Sequence, residues 1–519
     1  MAIFRRAGPG RARLASQTVL SLLAVSAVAA PPPSASSTLI VNAVVIDGTG
    51  AARRSACVRV RGDRIAEVGR LSPVPGEAVV DGKGLVLAPG FVDTHSHGDH
   101  GILDHPDALG AVSQGISTIV GGQDGGSPWP LSDFFGKLER AHAAVNVAAY
   151  AGHGRIRRTV MGDDFRRPAR PEELARMKEL LAQELRAGAL GLSTGLEYDP
   201  GIFSAPSEVV ELARVAAQAG GRYISHVRSE DRNFWAAIDE TIAIGREAKI
   251  PVQVSHLKLA MRSLWGQADR LIATFERARA EGVDITADIY PYLYWQSTLT
   301  VLFPERNFED RPTAELVLRE ISTPEDLLLG TFAPEPSYAG QTLAEIAKGR
   351  GTDAPATLMA LIREALEYER RTGQDAESVI GTSMSEPDLE RLMAWKHANI
   401  CTDGELDGRH PRGFGTYPRV LGRYVRERKV LTLEEAIRKM TSLAAANVGL
   451  RDRGMIRPGA FADLVLLDPA TVIDRATTQE PRAPSVGIAK VWVNGGLVYD
   501  AGSATGNRPG RVLRREPQS

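Results

Sequence analysis

The stretch Ala88-Pro89-Gly90-Phe91-Val92-Asp93-Thr94-His95-Ser96-His97 decides the fold. A Pro-Gly turn opens a short apolar run, and the run ends in two histidines one residue apart. Extended backbone alternates its side chains, so His95 and His97 share one side while Ser96 faces away. Paired imidazoles at the C-terminal end of a strand are donors of the type a divalent ion such as zinc prefers.

Eight further apolar segments follow, at 116–121, 145–151, 189–194, 223–226, 252–256, 285–289, 379–382 and 400–402. Helix candidates at 171–187, 206–219, 233–248 and 265–281 lie between them. Pro171 and Pro206 suit helix first turns, and Gly188 and Gly220 suit C-terminal stops. This β–α alternation means a parallel sheet, either a (β/α)8 barrel or a doubly wound sheet. Nine strands are one too many for the barrel, and 379–382 reads as the extra one. Residues 294–378 are irregular and carry several prolines, so they read as an insertion over the barrel mouth.

Further outward the chain is strand-rich at both ends, at 37–84 and at 455–500. The economical arrangement is one composite β-domain built from both, with a barrel of residues 85–454 between them. Residues 501–519 read as a flexible tail. Near the N-terminus, Arg5, Arg6, Arg11 and Arg13 precede an apolar run that ends in Ala27-Val28-Ala29. That pattern predicts a signal peptide over 1–29 and a disordered lead-in over 30–36, hence an exported, periplasmic or secreted protein. No later run is apolar enough to span a bilayer.

Charge and cysteine content narrow the function. The 519 residues include 62 Lys and Arg against 63 Asp and Glu, a net charge of -1. A near-neutral chain without a basic-aromatic cluster argues against nucleic acid or an acidic membrane surface as partner. Two cysteines exclude a disulfide scaffold and an all-cysteine zinc site; Cys57 and Cys401 read as two buried thiols.

Histidine placement carries more. Of ten histidines, His95, His97, His226 and His256 fall at the C-terminal ends of strand candidates, with Asp124 after the second strand and Asp403 after the last. In a parallel barrel that end is the active-site face. A lone strand-end histidine is more often a hydrogen-bonded structural residue. Four of them with two aspartates form a ligand set. By the same alternation Lys258 shares a side with His256, and Arg228 and Glu230 share one with His226 if the strand continues. Arg412 follows the last strand and is a second anion-binding candidate, and His153, after the third, is a candidate to line the mouth.

At these residues the chain resembles the amidohydrolase superfamily, and within it the D-aminoacylases (N-acyl-D-amino-acid deacylases). Besides the opening stretch, the resemblance rests on several motifs in the family's order. They are Gly191-Leu192-Ser193-Thr194-Gly195-Leu196-Glu197-Tyr198-Asp199-Pro200-Gly201, Ser225-His226-Val227-Arg228-Ser229-Glu230, Gln253-Val254-Ser255-His256-Leu257-Lys258, Asp288-Ile289-Tyr290-Pro291-Tyr292, Thr402-Asp403-Gly404 and His410-Pro411-Arg412-Gly413. The resemblance implies a distorted (β/α)8 TIM barrel with a small β-sandwich from both termini. It implies one or two divalent ions, Zn2+ first, on His95, His97, Asp124, His226 and His256, with Asp403 as the catalytic carboxylate. One position departs. Where the family carries a metal-binding Cys in a Gly-Asn-Cys-Gly turn, this chain has Gly122-Gln123-Asp124-Gly125. The fourth strand ends in Leu192-Ser193-Thr194 without the carboxylated Lys of many amidohydrolases, in agreement with the D-aminoacylase subgroup.

The chemistry follows from the donors. A bound divalent ion brings the pKa of its water to about 7 and polarises a carbonyl. His226, His256 and Asp124 are expected to hold the principal ion, and His95 and His97 a second. Asp403 would move the proton from water to the leaving nitrogen. Lys258, Tyr290 and Arg412 are candidates for the free carboxylate of an N-acyl amino acid, with Tyr198 near the mouth. The alternatives are a dipeptidase, another amide or cyclic-amide hydrolase, a deaminase of the same superfamily, or a barrel that has lost its chemistry. Oligomeric state is not legible.

Overall fold

The computed structural model describes residues 37–515, so the signal peptide and lead-in expected over 1–36 lie outside the described residues. At the centre is a barrel of eight parallel strands, counted among the described residues. They are β1 (Phe91–Asp93), β2 (Ile116–Gly121), β3 (Asn146–Ala149, resuming at Ala151–Gly152), β4 (Gly191–Gly195), β5 (Arg222–His226), β6 (Val252–Val254), β7 (Ile285–Ile289) and β8 (Ala398–Ile400). Pairing runs β1–β2–β3 and then β3–β4–β5–β6–β7–β8. The break at Tyr150 is where β3 hands over from one partner to the other. The ring closes beyond the ends of β8 and β1 through a Ser96–Gly404 bridge, Asp403 N–H to the His95 carbonyl at 2.8 Å and His97 N–H to Gly404 at 2.9 Å. This irregular seam distorts the barrel, and it also brings the histidine pair beside Asp403.

The barrel strands are buried on both faces, which is why they read as continuous apolar runs. Helices α1 (Pro171–Ala187), α2 (Pro206–Gln218), α3 (Phe234–Ala248) and α4 (Ala268–Ala280) cover the outside. Pro171 and Pro206 occupy first turns, and Gly188 takes the left-handed position that ends α1. Each helix buries an apolar stripe; in α4 it is Leu271, Ile272, Phe275 and Ala278.

The termini form one continuously hydrogen-bonded sheet of nine strands among the described residues. Val86–Pro89 from the N-terminal part lies antiparallel to Leu464–Leu467 from the C-terminal part, with Ala88 opposite Val465. The domain has its own core of Ile40, Val58, Leu87, Leu464 and Trp492. Residues 501–515, expected as a flexible tail, are ordered instead. Ser503–Ala504 completes the sheet. Beyond it the chain runs along β3, with Leu513 N–H to Val147 at 2.8 Å and Arg515 N–H to Gly188 at 3.0 Å. An edge of polar backbone is satisfied in that way.

Between β7 and β8, Tyr294–Ser297, Leu327–Phe332 and Glu377–Thr382 pair as a separate antiparallel sheet. The extra strand at 379–382 is therefore not part of the barrel. With the helix Ala354–Thr372 this insertion encloses its own core of Leu299, Leu302, Phe332, Leu358 and Leu361. Both cysteines are free, Cys401 buried and Cys57 half-buried.

Candidate metal and active site

The strand ends at the C-terminal face converge on one cavity of about 620 Å³, roofed by the insertion. Its floor is set by loops that the sequence bends sharply. Gly122 lies at φ +68°, where an added Cβ would stand 2.2 Å from the Tyr150 carbonyl oxygen. That turn delivers Asp124. Asp124, His256 and Asp403 themselves adopt left-handed φ of 52°, 34° and 50°. Asp and His tolerate this region better than most residues, and strain of this kind collects at functional sites. It is held by fixed hydrogen bonds. His256 N–H donates to Asp288 Oδ1 at 2.5 Å, and Thr402, just before Asp403, donates its N–H to Asp93 at 2.8 Å.

The donors meet as follows. His95 Nε2 lies 3.3 Å from Asp403 Oδ1 and 3.5 Å from Asp124 Oδ1. His97 Nε2 lies 3.2 Å from Asp403 Oδ1 and 3.5 Å from Asp124 Oδ2. His256 Nε2 is 3.6 Å from Asp124 Oδ1 and 3.0 Å from His226 Nδ1. The opposite nitrogens of the last two rings are fixed from outside, His226 Nε2 by Glu197 at 2.8 Å and His256 Nδ1 by Lys258 at 2.8 Å and Glu230 at 3.1 Å. A carboxylate behind a ligating imidazole sets its tautomer and orientation. Both ring nitrogens of His95 and Oδ1 of Asp124 are buried with no hydrogen-bond partner. Buried polar atoms seldom stay unpartnered. Four imidazoles and two carboxylates turned inward fit a zinc site, and His95, Asp124, His256 and Asp403 place one donor each within 4.8 Å of the others.

Electrostatics agree with this grouping. Burial alone would raise the Asp403 carboxyl, but Arg412, His256 and His95 outweigh it and hold it ionised. Asp124 is likewise held low by His95 and His256 against its burial. Burial depresses His97, yet Asp124 and Asp403 raise it well above the usual imidazole range. Arg412 Nη1 donates to Asp403 Oδ2 at 2.5 Å. Arg412 Nε and the Tyr290 hydroxyl are both buried without partners, and the guanidinium stands 5.0 Å from the Tyr290 ring. Burial pushes the Tyr290 phenol up to about 12, so it remains a donor at neutral pH. Tyr198 sets its ring 4.4 Å from that of His226, tilted by 45°.

All ten residues singled out from the sequence for catalysis, metal or substrate thus gather here. Two further expectations do not hold. The extension past His226 breaks off, so Arg228 turns away to Glu240 at 2.8 Å while Glu230 reaches Lys258 at 2.6 Å. His153 does not line the mouth but is buried against Glu208 at 2.8 Å. Glu197 and Asp288 carry weight that the sequence reading missed. Asp288 had a signal: with Thr286 it is a polar residue on one side of an otherwise apolar strand. Glu197 sits in a loop, where no periodicity points to it.

Comparison with known proteins places this geometry in context. Residues 78–321 and 405–499 match the model of the amidohydrolase family. The chain is 39% identical to an N-acyl-D-glutamate deacylase of Alcaligenes xylosoxydans xylosoxydans over 91% of its own length and 95% of that protein. A D-aminoacylase crystal structure superposes with a TM-score of 0.82 at 37% identity, covering 92% of this chain and 99% of the other. An N-acyl-D-glutamate deacylase from Bordetella bronchiseptica, complexed with zinc and a phosphonate mimic of the tetrahedral intermediate, superposes with a TM-score of 0.82 at 36% identity. It covers 93% of this chain and 100% of that one.

Proposed function

The chain belongs to the amidohydrolase family, and from that premise we propose that it hydrolyses the amide bond of N-acyl amino acids of D configuration. The observation that carries the reading is His95, buried with two unpartnered nitrogens among Asp124, His256 and Asp403. His226, His256 and Asp124 would hold the principal ion, and His95 and His97 a second. An ion held there supplies Lewis acidity, acidifying water and polarising the acyl carbonyl.

The chain's own residues do the rest. Lys258, Tyr290 and Arg412 supply donors to the substrate carboxylate, the last two having buried donors that no protein acceptor uses. Tyr198 closes the side of the cavity against His226. Asp403 stays ionised at neutral pH and can accept a proton as water attacks the acyl carbon. It returns that proton to the nitrogen as the C–N bond breaks, which releases a carboxylic acid and a free amino acid. We extend the proposal to export, on the N-terminal basic and apolar pattern. Among the described residues no helix is long and apolar enough to cross a membrane.

The test is a panel of N-acyl-D- and N-acyl-L-amino acids, dipeptides and nucleobases on zinc-loaded protein, repeated with Asp403→Asn. The D series should be turned over, and the variant should lose about 10²–10⁴-fold in kcat with metal content unchanged. Full activity in the variant removes Asp403 from the reaction, and turnover confined to L or cyclic substrates removes the substrate assignment.

A further inference from the structure

The reaction above uses only the inner half of the cavity. The outer wall comes from the insertion and has a different character. Trp295, Val301, Leu302 and Ile321 line it with apolar surface, and Glu369, Asp375 and Glu377 line it with carboxyls. Glu377, at the start of the strand Glu377–Thr382, is only 7% exposed. Its Oε1 accepts the Leu299 N–H at 2.7 Å, while Oε2 is buried with no partner. Holding the Leu299 turn needs one acceptor oxygen, which an amide would supply equally well. The second oxygen therefore has no structural use among the described residues. Neither deeper cation pairs with it: Lys258 Nζ binds Glu230 and Arg412 Nη1 binds Asp403, with Arg412 Nε left for the substrate carboxylate. Arg409 lies exposed at the rim.

We infer that this wall selects substrates carrying an aliphatic arm that ends in a cation, an ammonium or a guanidinium, with Glu377 Oε2 as the specificity-determining acceptor. The inference rests on the deacylase reading and deepens it by naming the substrate class. The methylenes of the arm lie against Trp295 and Leu302, and its end donates to Glu377 beside Glu369 and Asp375. Burial, with Glu369 adding to it, pushes the Glu377 carboxyl up to about 8. A neutral arm therefore leaves it protonated and is tolerated, whereas a cationic arm ionises it and gains an ion pair. An anionic arm gains no ion pair at Glu377 and meets Glu369 and Asp375 together with Arg409.

Either the amino-acid side chain or the acyl group could supply the arm, and two matched substrate pairs separate them. One pair is N-acetyl-D-lysine with N-acetyl-D-norleucine; the other is N-(6-aminohexanoyl)-D-alanine with N-hexanoyl-D-alanine. On zinc-loaded full-length protein, the cationic member of one pair should exceed its neutral partner by roughly tenfold in kcat/KM. In Glu377→Gln that ratio should collapse towards one. Turnover without a cationic advantage in either pair overturns this inference and leaves the deacylase reading standing. No turnover of any of the four while other N-acyl-D-amino acids are hydrolysed overturns this inference alone; no turnover across the whole D series overturns the deacylase reading and this inference with it. Binding keeps the test sound if Glu377→Gln is poorly active. Calorimetry on Asp403→Asn should show the same cationic preference, and Asp403→Asn/Glu377→Gln should lack it. Equal affinities for the paired ligands in Asp403→Asn overturn the inference.

Discussion

At the scale of single residues, the departure that matters is Asp124. It stands where the resemblance expects a cysteine thiolate, yet it reaches the same convergence of imidazoles, with Oδ1 facing His95 and His256 and Oδ2 facing His97. A carboxylate offers two oxygens, so one residue can face both histidine pairs, and its oxygen donors are harder than thiolate sulfur. Its left-handed backbone, at φ 52°, is tolerable for Asp. We therefore expect Asp124→Ala to lose more than half of its bound metal and more than about 100-fold in kcat/KM, exceeding the cost typical of an outer partner of a metal ligand. Asp124→Cys should keep metal, now on a softer donor. Metal analysis of purified variants checks both, and unchanged metal in Asp124→Ala would take Asp124 out of the site.

At the scale of elements, what was legible and what was not divides along periodicity. Barrel strands buried on both faces announce themselves as apolar runs, and the residues at their ends, His95, His226 and His256, could be placed on the working face before any coordinates. Side chains past those ends follow no alternation, because the backbone leaves the extended region there. That is why Arg228, beside His226 by alternation alone, instead pairs with Glu240, and why no periodicity points to Glu197. The C-terminal segment failed for a different reason. Its docking rests on backbone groups and on arginines whose partners no side-chain pattern reports, Arg511 reaching Asp63 and Arg515 the Leu185 carbonyl. Gly510 N–H binds Ala143 at 2.9 Å, Val147 N–H binds Arg511 at 2.9 Å, and Leu513 and Arg515 continue the pairing. Truncation after Pro509 removes these four hydrogen bonds, each worth roughly 1 kcal/mol net. The expected loss is about 2–4 kcal/mol of stability, read by urea denaturation, with the zinc content of the folded protein kept. A truncated chain as stable as the parent would mean that the segment adds nothing to the barrel.

At the scale of the whole molecule, the question is whether the ion builds the fold or uses it. The barrel, the β-domain and the insertion each enclose apolar side chains that need no metal, from Phe91 and Ile285 in the barrel to Trp492 and Leu358 outside it. The site donors are already gathered, and their outer nitrogens are pinned by Glu197, Glu230 and Lys258. A small metallodomain unfolds when stripped because ligation is its folding energy. Here ligation adds to a fold that stands without it. Dialysis against a chelator should therefore abolish turnover while leaving the far-ultraviolet circular dichroism spectrum unchanged. Restoring zinc to a free concentration of about 100 times its Kd adds roughly 2.7 kcal/mol to the native state. In a chain of this size that is a rise of about 2–5 °C in the apparent melting midpoint. The rise should shrink or vanish in Asp124→Ala. Loss of the helical and strand signal on chelation, at a temperature where the loaded protein is folded, would show that the barrel depends on its metal for structure as well as for chemistry.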